Sequence, residues 1–68
     1  MVKPGGVYLH YKGGIYTVIG VGDHTETGEK LVVYAAHGKI WIRPLTMFED
    51  EVEVREGVRV PRFKQVEG

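Results

Sequence analysis

Leu31-Val32-Val33-Tyr34-Ala35-Ala36-His37-Gly38-Lys39-Ile40-Trp41-Ile42-Arg43 is the stretch that decides the fold. From Lys30 to Ala36 the chain is largely apolar at both parities, the pattern of a strand covered on both faces. His37-Gly38-Lys39 then makes a tight hairpin. Ile40 to Arg43 is the returning strand, and Pro44 stops it, because proline has no N–H to give to a ladder.

The same grammar repeats outward from this hairpin. Upstream, Ile15 to Gly22 reads as a long strand in which Gly20 and Gly22 mark a bend. Before it, Val7 to Tyr11 reads as a first strand closed by Lys12-Gly13-Gly14. Downstream, Pro44 opens a single helical turn, Leu45-Thr46-Met47-Phe48. Glu49 to Val54, Arg55-Glu56-Gly57 and Val58 to Phe63 read as a closing hairpin. Valine and isoleucine outnumber leucine and alanine by fifteen to five, which favours a pleated sheet over helices. The expected fold is all-β: one domain over residues 1–68, a small closed SH3-like barrel of about five antiparallel strands with one short 3-10 turn. Ile15–Gly22, Lys30–Ala36 and Ile40–Arg43 are expected to form a consecutive antiparallel meander.

Composition removes several function classes. The 68 residues contain no Cys and no Ser, which excludes disulfides, thiolate zinc sites and both common nucleophiles. Nine basic residues balance nine acidic ones, so net charge gives no strong pull toward nucleic acid or membranes. No apolar run approaches the roughly 18 residues of a membrane span. The N-terminus carries no secretory core, and the expected compartment is the cytoplasm. Asn is also absent and Gln65 is the single amide side chain, a composition that points to a thermostable protein.

Blocks of the chain also resemble a known family. Tyr8-Leu9-His10-Tyr11-Lys12-Gly13 with Tyr16-Thr17-Val18 is similar to the start of the bacterial family called domain of unknown function 1653. His24-Thr25-Glu26-Thr27-Gly28-Glu29 with Leu31-Val32-Val33-Tyr34, Trp41-Ile42-Arg43-Pro44 with Met47-Phe48, and Val60-Pro61-Arg62-Phe63 continue it in order. The connection Ala35-Ala36-His37-Gly38-Lys39 is shorter than the family pattern. The resemblance implies a small barrel and supplies no activity.

Several constellations could carry chemistry. His24, Glu26 and Glu29 share one polar loop, but no second histidine stands at a ligand spacing, and Thr25 and Thr27 suit a solvated turn. Gly20-Val21-Gly22 lies within a strand pattern, without the helix N-terminus that a phosphate loop needs. His10, His24 and His37 fall in separate segments, and a barrel this small seldom encloses a reaction cleft. No enzymatic activity, cofactor or metal is expected.

The aromatic residues are the better lead. Strand alternation sends Ile40 and Ile42 one way and Trp41 and Arg43 the other. With the isoleucines expected in the core, Trp41 and Arg43 lie side by side on the outer face, suited to stacking or cation–π contact. Tyr34, Tyr11 and Arg62 are expected neighbours. The sequence-based reading is a non-enzymatic interaction module whose ligand is a protein or extended peptide. Single-stranded nucleic acid or RNA is the less favoured ligand, on charge balance. A third reading is an accessory or sensing subunit of an enzyme encoded elsewhere.

Overall fold

The computed structural model describes residues 2–68. Seven strands and one helical turn follow in order: β1 (Val7–His10), β2 (Ile15–Asp23), β3 (Lys30–Ala36), β4 (Lys39–Pro44), α1 (Leu45–Phe48), β5 (Glu51–Arg55), β6 (Val58–Pro61) and β7 (Phe63–Glu67). The protein is all-β, as its β-branched composition requires. β2, β3 and β4 form the expected antiparallel meander within a five-stranded sheet of order β4-β3-β2-β1-β7.

The barrel does not close. β5 and β6 pair with each other as a separate two-stranded sheet, which leaves β4 and β7 as edges of the main one. Arg62 is the physical reason for the division. Its N–H bonds to the Asp50 carbonyl at 3.0 Å and its guanidinium grips the Asp50 carboxylate. The run expected as one strand from Val58 to Phe63 therefore breaks into β6 and β7, and only β7 joins β1. The short turn at Leu45–Phe48 is α-helical rather than 3-10, closed by Glu49 N–H to Leu45 carbonyl at 2.9 Å.

Register fixes which face is inside. His37 and Gly38 both have positive φ (55° and 73°), the geometry of a two-residue type I′ turn, so Ala36 pairs with Lys39. Counting on, Tyr34 faces Trp41, Val33 faces Ile42 and Val32 faces Arg43. Directly opposed residues share a face, which groups Tyr34, Val32, Trp41 and Arg43 on one side and Val33, Ala35, Ile40 and Ile42 on the other.

The core lies on the first side. Val18, Val32, Tyr8, Tyr34, Phe63 and Phe48 form one cluster with Val2. Phe48 plugs it from α1: its ring stacks on Phe63 at 4.1 Å and meets Tyr8 edge-on at 5.1 Å. Ile42 and Ile40, expected to be buried, are instead 65% and 67% exposed. The reversal follows from α1, which covers the face bearing Tyr34 and leaves the opposite face of β4 open.

Candidate functional site

Five strands each contribute one aromatic ring to a band across the inner face. Phe63 of β7 meets His10 of β1 at 5.0 Å, His10 meets Tyr16 of β2 at 5.7 Å, and Tyr16 meets Tyr34 of β3 at 5.6 Å. Trp41 of β4, the register partner of Tyr34, extends the band to the sheet edge. Alternation within each strand and the two flanking hairpins bring these rings to one side.

Cations line the band. Arg43 donates from Nε to the Tyr34 hydroxyl at 3.2 Å, and its guanidinium lies 5.8 Å from the centre of the Phe63 ring. Lys39 Nζ stands 5.8 Å from the Trp41 ring, and Lys12 Nζ 5.7 Å from the Tyr11 ring. The Trp41 indole is oriented by its Nε1–H, which donates to the Ala36 carbonyl at 3.2 Å. That bond leaves the ring 41% exposed on the edge strand.

Acidic residues are sparse along this sheet, although the Asp50 carboxylate lies near enough to feel Arg43, and Glu49 near enough to act on Tyr8. Residues 1–22 and 30–48 contain no Asp or Glu, so β1, β3, β4 and all of β2 but its final Asp23 are free of carboxylates. Among the described residues Lys12, Lys39 and Arg43 form no ion pair. Overall neutrality conceals a cationic sheet and acidic peripheral segments.

The five residues expected to bind ligand fall into two neighbouring groups. Tyr34, Trp41 and Arg43 adjoin on β3 and β4. Tyr11 and Arg62 adjoin at the end of β1, where Tyr11 N–H bonds to the Arg62 carbonyl at 3.0 Å. His10 links the groups, with its ring 4.7 Å from Tyr11. Trp41 and Arg43 are therefore neighbours as expected, but on the inner face rather than the outer. Tyr34 is a core ring that presents only its hydroxyl edge. Arg62 clamps the base of the β5–β6 hairpin, with Nε 2.7 Å from one Asp50 oxygen and Nη2 3.3 Å from the other. That contact holds the Asp50 carboxyl below, and the Arg62 guanidinium above, their ordinary pKa values.

Sequence reasoning missed His10, Tyr16 and Phe63. Burial is the main cause that pushes the His10 imidazole below its usual pKa of 6.5, and Arg43, Arg62 and Lys12 add to it. Its Nδ1 accepts the Lys12 N–H at 3.2 Å. A shallow depression of about 330 Å³ adjoins the band, lined by Leu9, His10, Tyr11, Val60, Pro61 and Lys64. The loop histidine, by contrast, serves its own turn: His24 Nδ1 accepts the N–H groups of Glu26 and Thr27 at 3.1 and 3.3 Å. No helix is long and apolar enough to cross a membrane among the described residues.

A family described as a protein of unknown function, DUF1653, matches residues 6–65. The crystal structure of a DUF1653 protein from Bordetella bronchiseptica is similar over 97% of this chain and 88% of that one, at 35% identity and a TM-score of 0.78. No curated protein matches the chain.

Proposed function

The chain belongs to the DUF1653 family, and from that premise we propose that it is a non-enzymatic binding module whose inner face takes single-stranded nucleic acid. One observation carries the reading: a band of rings, one from each strand of the main sheet, flanked by Lys12, Lys39 and Arg43, which form no ion pair among the described residues. Bases stack on aromatic faces without regard to sequence, while Lys and Arg meet the phosphates. Trp41 and Tyr11 are the exposed rings offered for stacking, each with a lysine above it. Arg43, Lys39 and Lys12 supply the charge, and His10, Tyr16 and Phe63 support the band from beneath.

An extended peptide is the second reading. The apolar depression beside Leu9, Val60 and Pro61 favours it, since aromatic-lined grooves on small barrels read extended segments.

Trp41 is the protein's only tryptophan, so its fluorescence reports directly on the site. Titration with oligothymidylate or oligouridylate should quench it saturably. A Trp41→Phe variant, followed by fluorescence anisotropy of labelled oligonucleotide, should bind more weakly by roughly tenfold, the loss of about one good stacking contact. Absence of quenching and of anisotropy change at low salt would overturn the reading.

A further inference from the structure

The free edge of β4 is built for a specific occupant. In a two-residue hairpin the residues flanking the turn exchange both ladder hydrogen bonds, and pairs then alternate. Ala36–Lys39, Tyr34–Trp41 and Val32–Arg43 are thereby the bonded pairs with β3, while the N–H and C=O groups of Ile40 and Ile42 point outward from the sheet. Among the described residues no backbone bond outside the strand ladders engages residues 39–44. The same two isoleucines carry the most exposed large apolar side chains among the described residues. Val33 and Ala35 adjoin them, and Ile15, Ile19 and Leu9 lie on the same face or at its bulge, so an uncharged surface runs inward from the edge. An exposed apolar edge strand is a template for pairing, and natural proteins blunt or cover such edges.

We propose that β4 pairs antiparallel with β4 of a second copy, joining two five-stranded sheets about a two-fold axis at Ile42. Charge selects this register. An axis at Trp41 would set Lys39 against Arg43 of the second copy twice, and like charges directly opposed are destabilising. An axis at Ile42 opposes Ile42 to itself, Ile40 to Pro44, and Trp41 to Arg43 of the second copy. Each indole then gains a guanidinium on the inner face, a favourable cation–π arrangement. The paired Ile42 groups give two hydrogen bonds, and each Ile40 N–H reaches a Pro44 carbonyl. Zero formal net charge removes long-range repulsion between copies. The pairing is isologous and closes, so it ends at a dimer rather than a fibre. It also makes the aromatic band continuous across both copies, although it does not depend on what that band binds.

Sedimentation of the full chain without any nucleic acid tests the proposal. The wild type should be dimeric well below about 1 mM, and Ile42→Lys should weaken dimerisation at least about 100-fold with an unchanged circular dichroism spectrum. Hydrogen exchange supplies the second measurement: the Ile40 and Ile42 amides of the wild type should gain protection of about tenfold or more as concentration rises. A wild type that stays monomeric at about 1 mM overturns the proposal, and leaves an added peptide strand as the occupant to seek. A dimer that survives Ile42→Lys overturns it too. So does a dimer whose Ile40 and Ile42 amides exchange alike at low and high concentration, which would mean contact through the sheet face alone.

Discussion

Arg43 Nε is held 3.2 Å from the hydroxyl of Tyr34, whose ring is buried in the core. Both residues lie on the inner face of the sheet, so a cation at the margin of that face is fastened to a core ring, and binding face and core share one hydrogen bond. Tyr34→Phe keeps the ring and removes the acceptor. It should lower stability by about 1 kcal/mol, the usual contribution of one such bond. Urea denaturation measures this. An unchanged midpoint would mean that the face of Phe63 alone positions Arg43.

Core and edge should respond in opposite ways to truncation. Ile42→Ala should change stability by no more than about 0.5 kcal/mol, because its side chain already faces water. Phe48 is 1% exposed and stacks on Phe63, so Phe48→Ala should cost about 3–5 kcal/mol. For a domain of this length that approaches its whole stability. Denaturation should be followed at a concentration low enough to keep the chains monomeric. Equal losses for the two variants would contradict the assignment of the inner face.

These two residues also show what was legible beforehand. Strands β1 to β6, the meander and the helical turn could be read from glycines, Pro44 and β-branched runs, but β7 could not. The faces of β4 could not. In β3, Val32, Tyr34 and Ala36 at one parity match Leu31, Val33 and Ala35 at the other in apolarity, so alternation leaves the inside undecided. Ile40 and Ile42 looked more like core than Trp41 and Arg43. The choice was made by a long-range contact, Phe48 closing over Tyr34 and Phe63, which no local pattern encodes. Barrel closure failed for a similar reason. The Arg62–Asp50 clamp that splits the last expected strand into β6 and β7 joins residues twelve apart. Trp41 and Arg43 were still found, because adjacency on a hairpin strand survives an error of face. A usable signal for His10 and Tyr16 existed in the first hairpin: both stand at the parity of Tyr8, which the Tyr8–Tyr16 pairing makes a single face.

His10 gives the protein a pH response. Burial first, then Arg43, Arg62 and Lys12, lower its pKa in the folded state. Between that value and the ordinary 6.5 the unfolded chain binds more protons than the folded one. The corresponding stability is present above about 6.5 and lost as pH falls through the folded value. Asp50 acts in a separate and more acidic window, since Arg62 lowers its pKa from the ordinary 3.8. The urea midpoint should fall from about pH 7.5 to about pH 5.5, and His10→Gln should flatten that fall. An NMR titration placing His10 at or above 6.5 would contradict the effect of its surroundings.

Thermal stability should exceed the mesophile range. With no Ser, Asn or Cys and one Gln, the chain lacks most thermolabile side chains. Calorimetry at neutral pH should give a Tm above about 65 °C. A midpoint within about 45–65 °C would show that these absences carry no thermal meaning in so short a chain.

Salt dependence separates the two candidate ligand classes most sharply. Phosphates bound by lysine and arginine release counterions, so affinity for a single strand falls with salt at a logarithmic slope of about −0.7 per phosphate neutralised. Lys12, Lys39 and Arg43 are the cations of the band that form no ion pair among the described residues. Three contacts should therefore give a slope of about −2 for oligothymidylate. Lys39→Gln should reduce its magnitude by about 0.7 and leave the fold unchanged, because Lys39 sits at the exposed mouth of the hairpin. Arg62→Gln should differ in kind: its guanidinium is already committed to Asp50, so the slope should hold while the hairpin loosens and stability drops. Both variants can be followed through quenching of Trp41 between about 20 and 300 mM salt. A slope near zero, with Lys39→Gln and wild type alike, would mean that the face binds no phosphate backbone. The scarcity of carboxylates along β1 to β4 would then be a consequence of where the acidic loops fall, with no part in recognising an anion.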